Sequence, residues 1–261
     1  MNLMKPVISI VTIVYNAVHE IEPTLLSVIN QDYPNIEYIV IDGGSKDGTI
    51  DIIRKYQNSI SVYVSEPDHG IYDAMNKGIC KATGDWLLFM NAGDSFASLD
   101  VISRVFTFPN DYEGMVAVYG NVNMVYDGWS VVTKPAHITL LKEKMPFSHQ
   151  AIFVRTNFHM KHLFSKKYKI ASDYEFFYNL YMSSYLFKYV DIVIANYDAI
   201  RGLSAKQCIL ARKENAIING KIKDLSWNFE YIIFTLKVKI ISILPNNLYR
   251  CIRKFKKNIR L

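Results

Sequence analysis

Apolar and polar residues alternate in blocks over the first ninety positions, and the blocks are of two kinds. Val7 to Tyr15 (VISIVTIVY) is nearly continuous, β-branched and short, the pattern of a strand buried on both faces. Ile36–Ile41, Ile60–Val64 and Trp86–Met90 repeat it. Between these runs, Val18–Asn30 carries Ile21, Leu25, Val28 and Ile29 at helical spacing. A second helix opens at Asp47 or Gly48 and runs through Tyr56; a third, Gly70–Ala82, puts Ile71, Ala74, Met75, Gly78 and Ile79 on one side. Strand–helix alternation at this spacing predicts βαβ units, hence an α/β fold with a mostly parallel central sheet flanked by helices. Right-handed crossovers bring the strand ends Asn16, Asp42, Glu66 and Asn91 to one edge. Ligands of open α/β sheets bind at that carboxyl edge.

Beyond residue 115 the pattern loosens. Met115–Tyr119 reads as a strand, Asn121–Lys134 as a hairpin around Asp127-Gly128, and Ala151–Val154 as another short strand. Ser172–Met182 reads as a helix, Phe187–Asn196 as a strand and Ser204–Asn219 as a helix. A boundary near residue 220 divides a domain over 1–220 from a C-terminal segment over 221–261.

Composition supports one large core, since half of the 261 residues are hydrophobic. Cys80, Cys208 and Cys251 lie far apart with no CxxC spacing, which points to reduced thiols rather than zinc or disulfides. The N-terminus shows no leader pattern, so a cytoplasmic location is expected. The net charge of +6 is uneven: eight Lys and Arg and no acid lie from Ile232 onward, leaving −2 for the rest.

The strand-end loops carry the candidate chemistry. Asp42, Asp68 and Asp94 each closely follow a strand, and three acids at one sheet edge repel one another. A hard divalent cation such as Mg²⁺ or Mn²⁺ relieves that repulsion and keeps sites for phosphate oxygens. A nucleoside diphosphate site fits this pattern; local turn chemistry is the alternative for each loop taken singly. Gly43-Gly44-Ser45-Lys46-Asp47-Gly48 matches neither GxGxxG nor GxxxxGK[ST], which argues against a dinucleotide dehydrogenase or a P-loop enzyme.

Four segments together carry a family resemblance. They are Val14-Tyr15-Asn16, Ile41 to Thr49 (IDGGSKDGT), Ser65 to Gly78 (SEPDHGIYDAMNKG) and Leu88 to Asp94 (LFMNAGD). In order and spacing they resemble the family 2 glycosyltransferases of the A-type fold, above all bacterial members from O-antigen, capsule and colanic acid gene clusters. The resemblance spans about residues 6 to 200 and implies an inverting transfer of a sugar from a nucleoside diphosphate donor. It implies that Thr12, Tyr15 and Asn16 line the nucleotide pocket, that Asp42 hydrogen-bonds the base, and that Asp68 lies near the nucleotide. It places Asp94 at the last position of the metal-binding acidic motif and Asp173 at the catalytic base. Asn91 and Gly93 replace that motif's other acids, so Asp94 is its one carboxylate, and His149 is a further candidate for metal or diphosphate contact. Met75 replaces a usual Arg, leaving Lys77 to supply the charge. Glu175 is the rival base, and Asp173 also suits the first turn of its helix.

Tyr231–Leu244 is apolar but holds Lys237 and Lys239 and is shorter than the ~20 residues of a spanning helix. With the basic residues that follow, it predicts a helical basic segment on an anionic membrane surface, or else a helix packed on the body. A membrane-surface enzyme suits a lipid-linked oligosaccharide acceptor at the inner face of the cytoplasmic membrane. No nucleic-acid module accompanies the charges. A sugar nucleotidyltransferase lacks support because Asn16 to Glu20 is neither Gly-rich nor basic. A non-catalytic sugar-nucleotide-binding scaffold stays open through the missing motif carboxylates.

Overall fold

The computed structural model describes residues 5–107, 112–199 and 207–243. Its first half is the expected alternation: β1 (Ile8–Val14), α1 (Ile21–Ile29), β2 (Ile36–Asp42), α2 (Thr49–Lys55), β3 (Val62–Ser65), α3 (Ile71–Lys81) and β4 (Trp86–Phe89). All seven residues of β1 are buried, as a strand covered on both faces requires. Ile8, Ile10 and Val14 pack with Ile21, Leu25 and Val28 of α1 on one face. Val11 and Ile13 pack with Ala74, Met75 and Ile79 of α3 on the other. A Cβ built on Gly78 would run into Val11 Cγ1, so α3 sits on β1 as closely as it does only because residue 78 has no side chain.

The sheet order is β3-β2-β1-β4 and then continues into the second half. Chain progress runs outward from β1 to β3 and then returns across β1 to β4, so a topological switch point lies between β1 and β4. Parallel pairing sets Val14, Asp42 and Ser65 abreast, and Val11 opposite Phe89. The expected strand ends therefore do share one edge.

The second half is mixed. β5 (Ser95–Phe96), α4 (Val101–Val105), β6 (Met115–Tyr126), β7 (Trp129–Thr133), β8 (Ile152–Arg155), α5 (Thr156–Lys161), α6 (Ser172–Met182) and β9 (Leu186–Asp198) follow. β8 runs antiparallel to both β4 and β6, while β9 runs parallel to β6. β6 is one twelve-residue strand where the sequence pattern suggests a strand and a separate hairpin arm. Gly120 carries it through, because a side chain there would strike Ile192 O of β9, and the register slips on either side of Asn121. The short β5, α4 and α5 give too few residues for periodicity to reveal.

Two helices close the described chain, α7 (Cys208–Ile218) and α8 (Leu225–Ile243), separated by a break at Gly220 with φ of 81°. Residues 204–206 of the expected helix, and the basic residues beyond 243, lie outside the described residues. Among the described residues no helix is long and apolar enough to cross a membrane.

Candidate active site

The loop after β2 is built around the Asp42 carboxylate. Asp42 is fully buried and accepts hydrogen bonds from Gly44 N, from Ser45 N and from Ser65 Oγ at 2.6 Å. Backbone and hydroxyl donors thus hold the carboxylate in place, and through Ser65 they bind the β2 and β3 ends together. Thr12 is likewise buried, not lining a surface: its Oγ1 donates to Met90 O at 2.8 Å and meets Tyr38 Oη at 3.0 Å, stapling β1 to β4.

Tyr15 and Asn16 do reach the surface. Tyr15 is 64% exposed. Asn16 adopts a left-handed φ of 46° and accepts from Lys46 N at 2.9 Å, so it locks the β1 and β2 loops together. Asp68 leans over Gly43: a Cβ on Gly43 would collide with Asp68 Oδ2 and lie 3.3 Å from the Tyr15 ring. Asp68 Oδ1 accepts from Gly70 N at 2.9 Å. Lys77 is tied down, with its Nζ 2.8 Å from Glu66 Oε1 and donating to Pro67 O at 2.9 Å.

The turn after β4 is held from two sides. Gly93 takes φ of 98°, and Thr24 Oγ1 of α1 receives Gly93 N and donates to Asp94 O. The Asp94 side chain is 7% exposed and accepts one side-chain hydrogen bond, from Gln150 Nε2 at 2.9 Å. Burial pushes its carboxyl up to about 7, the nearby Asp198 charge adds to this, and the Gln150 hydrogen bond opposes it. A cleft of about 540 Å³ opens beside this turn between Gly93, Ser95, Tyr126, Asp127, Asn196 and Asp198.

Asn91, His149 and Asp173 meet at the same edge, although 82 residues separate the first from the last. Asn91 Nδ2 and His149 Nε2 are 3.0 Å apart, and His149 Nδ1 lies 3.8 Å from Asp173 Oδ2. Tyr72 Oη lies 2.9 Å from Asp173 Oδ1 and 2.6 Å from Ile170 O and shares its one proton between them. Tyr174 N also donates to Asp173 Oδ1, a contact within the first turn of α6. Burial holds the His149 imidazole below its ordinary value, against the pull of Asp173. Asn91 Oδ1 is buried and has no hydrogen-bond partner. Glu175 is not in this group. It faces a separate pocket with His162, Ser165, Asn179 and Tyr185, where burial raises its carboxyl.

Tyr72, Gln150 and Thr24 are the supporting side chains that sequence reasoning missed. Tyr72 and Gln150 sit inside or beside the segments already singled out, yet nothing in their spacing says which way they point. His159 is 1% exposed and stacks on Phe176; burial drives it down to about 3, so it is a neutral core residue.

Among the described residues no cluster of three His, Cys, Asp or Glu could hold a metal by itself. A cation at this edge would find the Asp94 carboxylate and the orphaned Asn91 Oδ1 as candidate protein donors and would need its remaining ligands from phosphate or water. That is the donor set Mg²⁺ ordinarily uses beside a diphosphate.

A helix-flanked sheet that gathers its polar groups at the switch point is the frame of an A-type transferase. The model of glycosyl transferase family 2 matches residues 9–177. The chain belongs to that family and is a glycosyltransferase. It is 32% identical over 209 residues to a PGL/p-HBAD biosynthesis glycosyltransferase of Mycobacterium bovis, covering 77% of this chain and 80% of the relative. A glycosyltransferase of Bacillus subtilis named for teichuronic acid biosynthesis is 32% identical over 127 residues, 48% of this chain and 50% of that one. Among solved structures, S. aureus TarS 1–349 in complex with UDP-GlcNAc aligns with TM-score 0.63 at 17% identity, over 81% of this chain and 66% of that chain. A Pyrobaculum calidifontis mannosyltransferase with GDP-Man and Mn²⁺ aligns with TM-score 0.64 at 17% identity, over 85% of this chain and 65% of that one. At such identity these likenesses speak for the fold.

The hydrogen-bond order fixes an expectation for His149. With Asn91 donating to Nε2, the ring proton sits on Nδ1, facing Asp173. A lowered pKa means that the ring gains its second proton only at a pH below the ordinary ~6.5. Nitrogen-15 NMR at pH 7 should show a neutral, Nδ1-protonated His149; an imidazolium at that pH contradicts the arrangement.

Proposed function

We propose that the enzyme moves a sugar from a nucleoside diphosphate donor, with inversion, to a lipid-linked oligosaccharide in cell-surface glycan synthesis. The names of its relatives and the donors bound by its structural neighbours support this reading. The observation that carries it is the placement of Asp173, held by Tyr72 and faced by His149, at the same edge as the Asp94 turn. Asp173 accepts the acceptor hydroxyl's proton as that oxygen attacks the anomeric carbon from the face opposite the diphosphate. Tyr72 and His149 aim the carboxylate. Asp94 and Asn91 Oδ1 would hold a divalent cation, which when bound would supply positive charge to offset that on the departing diphosphate. Lys77 keeps the loop around Glu66 and Pro67 in place instead of touching phosphate.

The base falls to Asp68 and Tyr15. Asp42 is fully buried and already accepts from two amides and a hydroxyl, so it supports the pocket from beneath. Asp68 Oδ1 is engaged with Gly70 N, which leaves Oδ2 to accept one N–H above Gly43, beside the exposed Tyr15 ring. One acceptor matches the single imide N–H of uracil or thymine. Guanine offers two donors side by side.

Residues 1–220 form the catalytic unit in this reading, and 221–261 form the membrane-surface segment. Leu225, Phe229, Ile232, Leu236 and Ile240 recur at helical spacing along α8 and are 54–87% exposed. An apolar stripe followed by a basic, acid-free terminus suits an anionic bilayer, where each basic residue contributes about 1 kcal/mol.

A thermal-shift panel of UDP, dTDP, GDP and CMP with and without Mn²⁺ tests the donor reading, since a ligand of the folded state raises its midpoint. UDP or dTDP should shift it most, more so with Mn²⁺; no shift with any nucleotide sinks the proposal. Asp173→Asn should abolish UDP release from a UDP-sugar while UDP still binds, and retained turnover removes Asp173 from the base role. Asp68→Asn should weaken UDP at least about tenfold, the equivalent of ~1.4 kcal/mol. Asp42→Asn should instead lower stability by about 1–3 kcal/mol and leave the order of nucleotide preference as it was. The reverse pattern returns the base to Asp42. The full chain should co-sediment with vesicles of anionic phospholipid at low salt and not with purely zwitterionic ones; absence from both denies the membrane role.

A further inference from the structure

The segment that presents Asp173 is held from outside the family match, which ends at residue 177. Glu214 reaches in from α7 and is 7% exposed. Its Oε1 accepts from Lys169 N at 2.9 Å, and its Oε2 accepts from Ile170 N at 2.9 Å and Ala171 N at 3.1 Å. Three successive amides converge on one carboxylate, an anion nest filled by the protein's own side chain. The next two residues are Ser172 and Asp173.

We propose that Glu214 is a positioning residue for the transfer, fixing the 169–171 backbone so that Asp173 meets its partners; this rests on the reading of Asp173 as the base. Tyr72 Oη makes the connection. Its one proton is shared between Ile170 O, on the backbone Glu214 holds, and Asp173 Oδ1. A shift of Ile170 therefore moves the hydroxyl that aims the carboxylate. Ser172 Oγ donates to Ser165 O and Tyr168 O, so the same loop is closed from its other end. α7 is fastened nearby as well: Ala216 is buried, and Asn219 Nδ2 donates to Glu143 O at 2.7 Å. Without the Glu214 carboxylate three amides lose their acceptor, and Ala171 is only 2% exposed. Buried donors left so are costly, and the loop relaxes to find others. A misplacement of about 1 Å at a reacting group costs on the order of a hundredfold in rate.

The test compares full-length wild type, Glu214→Ala and Glu214→Gln. Glu214→Gln keeps one acceptor oxygen, so it reports on the clamp even if the alanine variant fails to fold. Three readouts are needed: hydrogen exchange of the 169–171 amides, the UDP dissociation constant, and UDP release from UDP-GlcNAc with Mn²⁺. We expect lost protection at 169–171, kcat lower by about tenfold to a hundredfold in Glu214→Ala, an intermediate kcat in Glu214→Gln, and unchanged UDP affinity. Retained kcat despite lost protection overturns the proposal. So does a fall in UDP affinity that accounts for the whole loss of rate, because Glu214 then serves general structure. If wild type releases no UDP, the reading of Asp173 as base falls separately. The exchange data still decide the clamp, since protection retained in the variants denies it.

Discussion

A carboxylate removed from water needs donors, and the number it receives decides what it is free to do. The acids of this protein sort by that rule. Glu214 accepts from three backbone amides. Asp42 accepts from two amides and a hydroxyl. Both are spent on architecture. Asp173 has a hydroxyl and an amide on one oxygen and only a distant imidazole near the other. Asp94 has the Gln150 side-chain amide and the Asp198 backbone N–H, and burial still pushes it up to about 7. The under-supplied acids stand where the proposed chemistry needs a proton acceptor and a cation ligand. The well-supplied ones hold the loops that aim them.

The parallel half of the sheet was legible because burial on both faces leaves a plain mark. β1 cannot tolerate charge on either side, and its sequence shows this at every position. The end of each such run then locates an edge loop, and register brings those loops together. β6 was misread at its midpoint because Gly120 looks like a break in a one-dimensional pattern. In three dimensions it is a point of close approach to β9, a fact that belongs to the partner strand and not to the local sequence.

For the candidate site, the sequence marked residues that the fold brings close together but did not show which way each points. Asn91, His149 and Asp173 converge as a set, and Tyr15 and Asp68 flank the same glycine. Thr12 and Asp42, by contrast, turn inward. Short polar residues at strand ends satisfy backbone groups as readily as they face a ligand. A sequence gives the residue type, while the side of the strand or turn on which it falls depends on neighbours such as Tyr38, Ser45 and Ser65. Glu214 left no trace at all, since one acid in an amphipathic helix looks like a solvated one.

That blind spot bears on where the catalytic unit ends. A family match that stops at residue 177 includes Asp173 and four residues beyond it, but not what steadies the turn before it. Backbone amides can be held by any acceptor that reaches them, so the clamp need not sit within the shared segments. The chain supplies it from α7, before the break at Gly220; α8 beyond that break packs on α7 through Tyr231 and Phe234 and presents an exposed apolar stripe on its other side. The change from inward-facing acid to outward-facing apolar residues occurs over about ten residues, from Glu214 to Leu225. If Glu214 positions Asp173 as proposed, the transfer machinery extends past residue 177, where the family match stops, into α7.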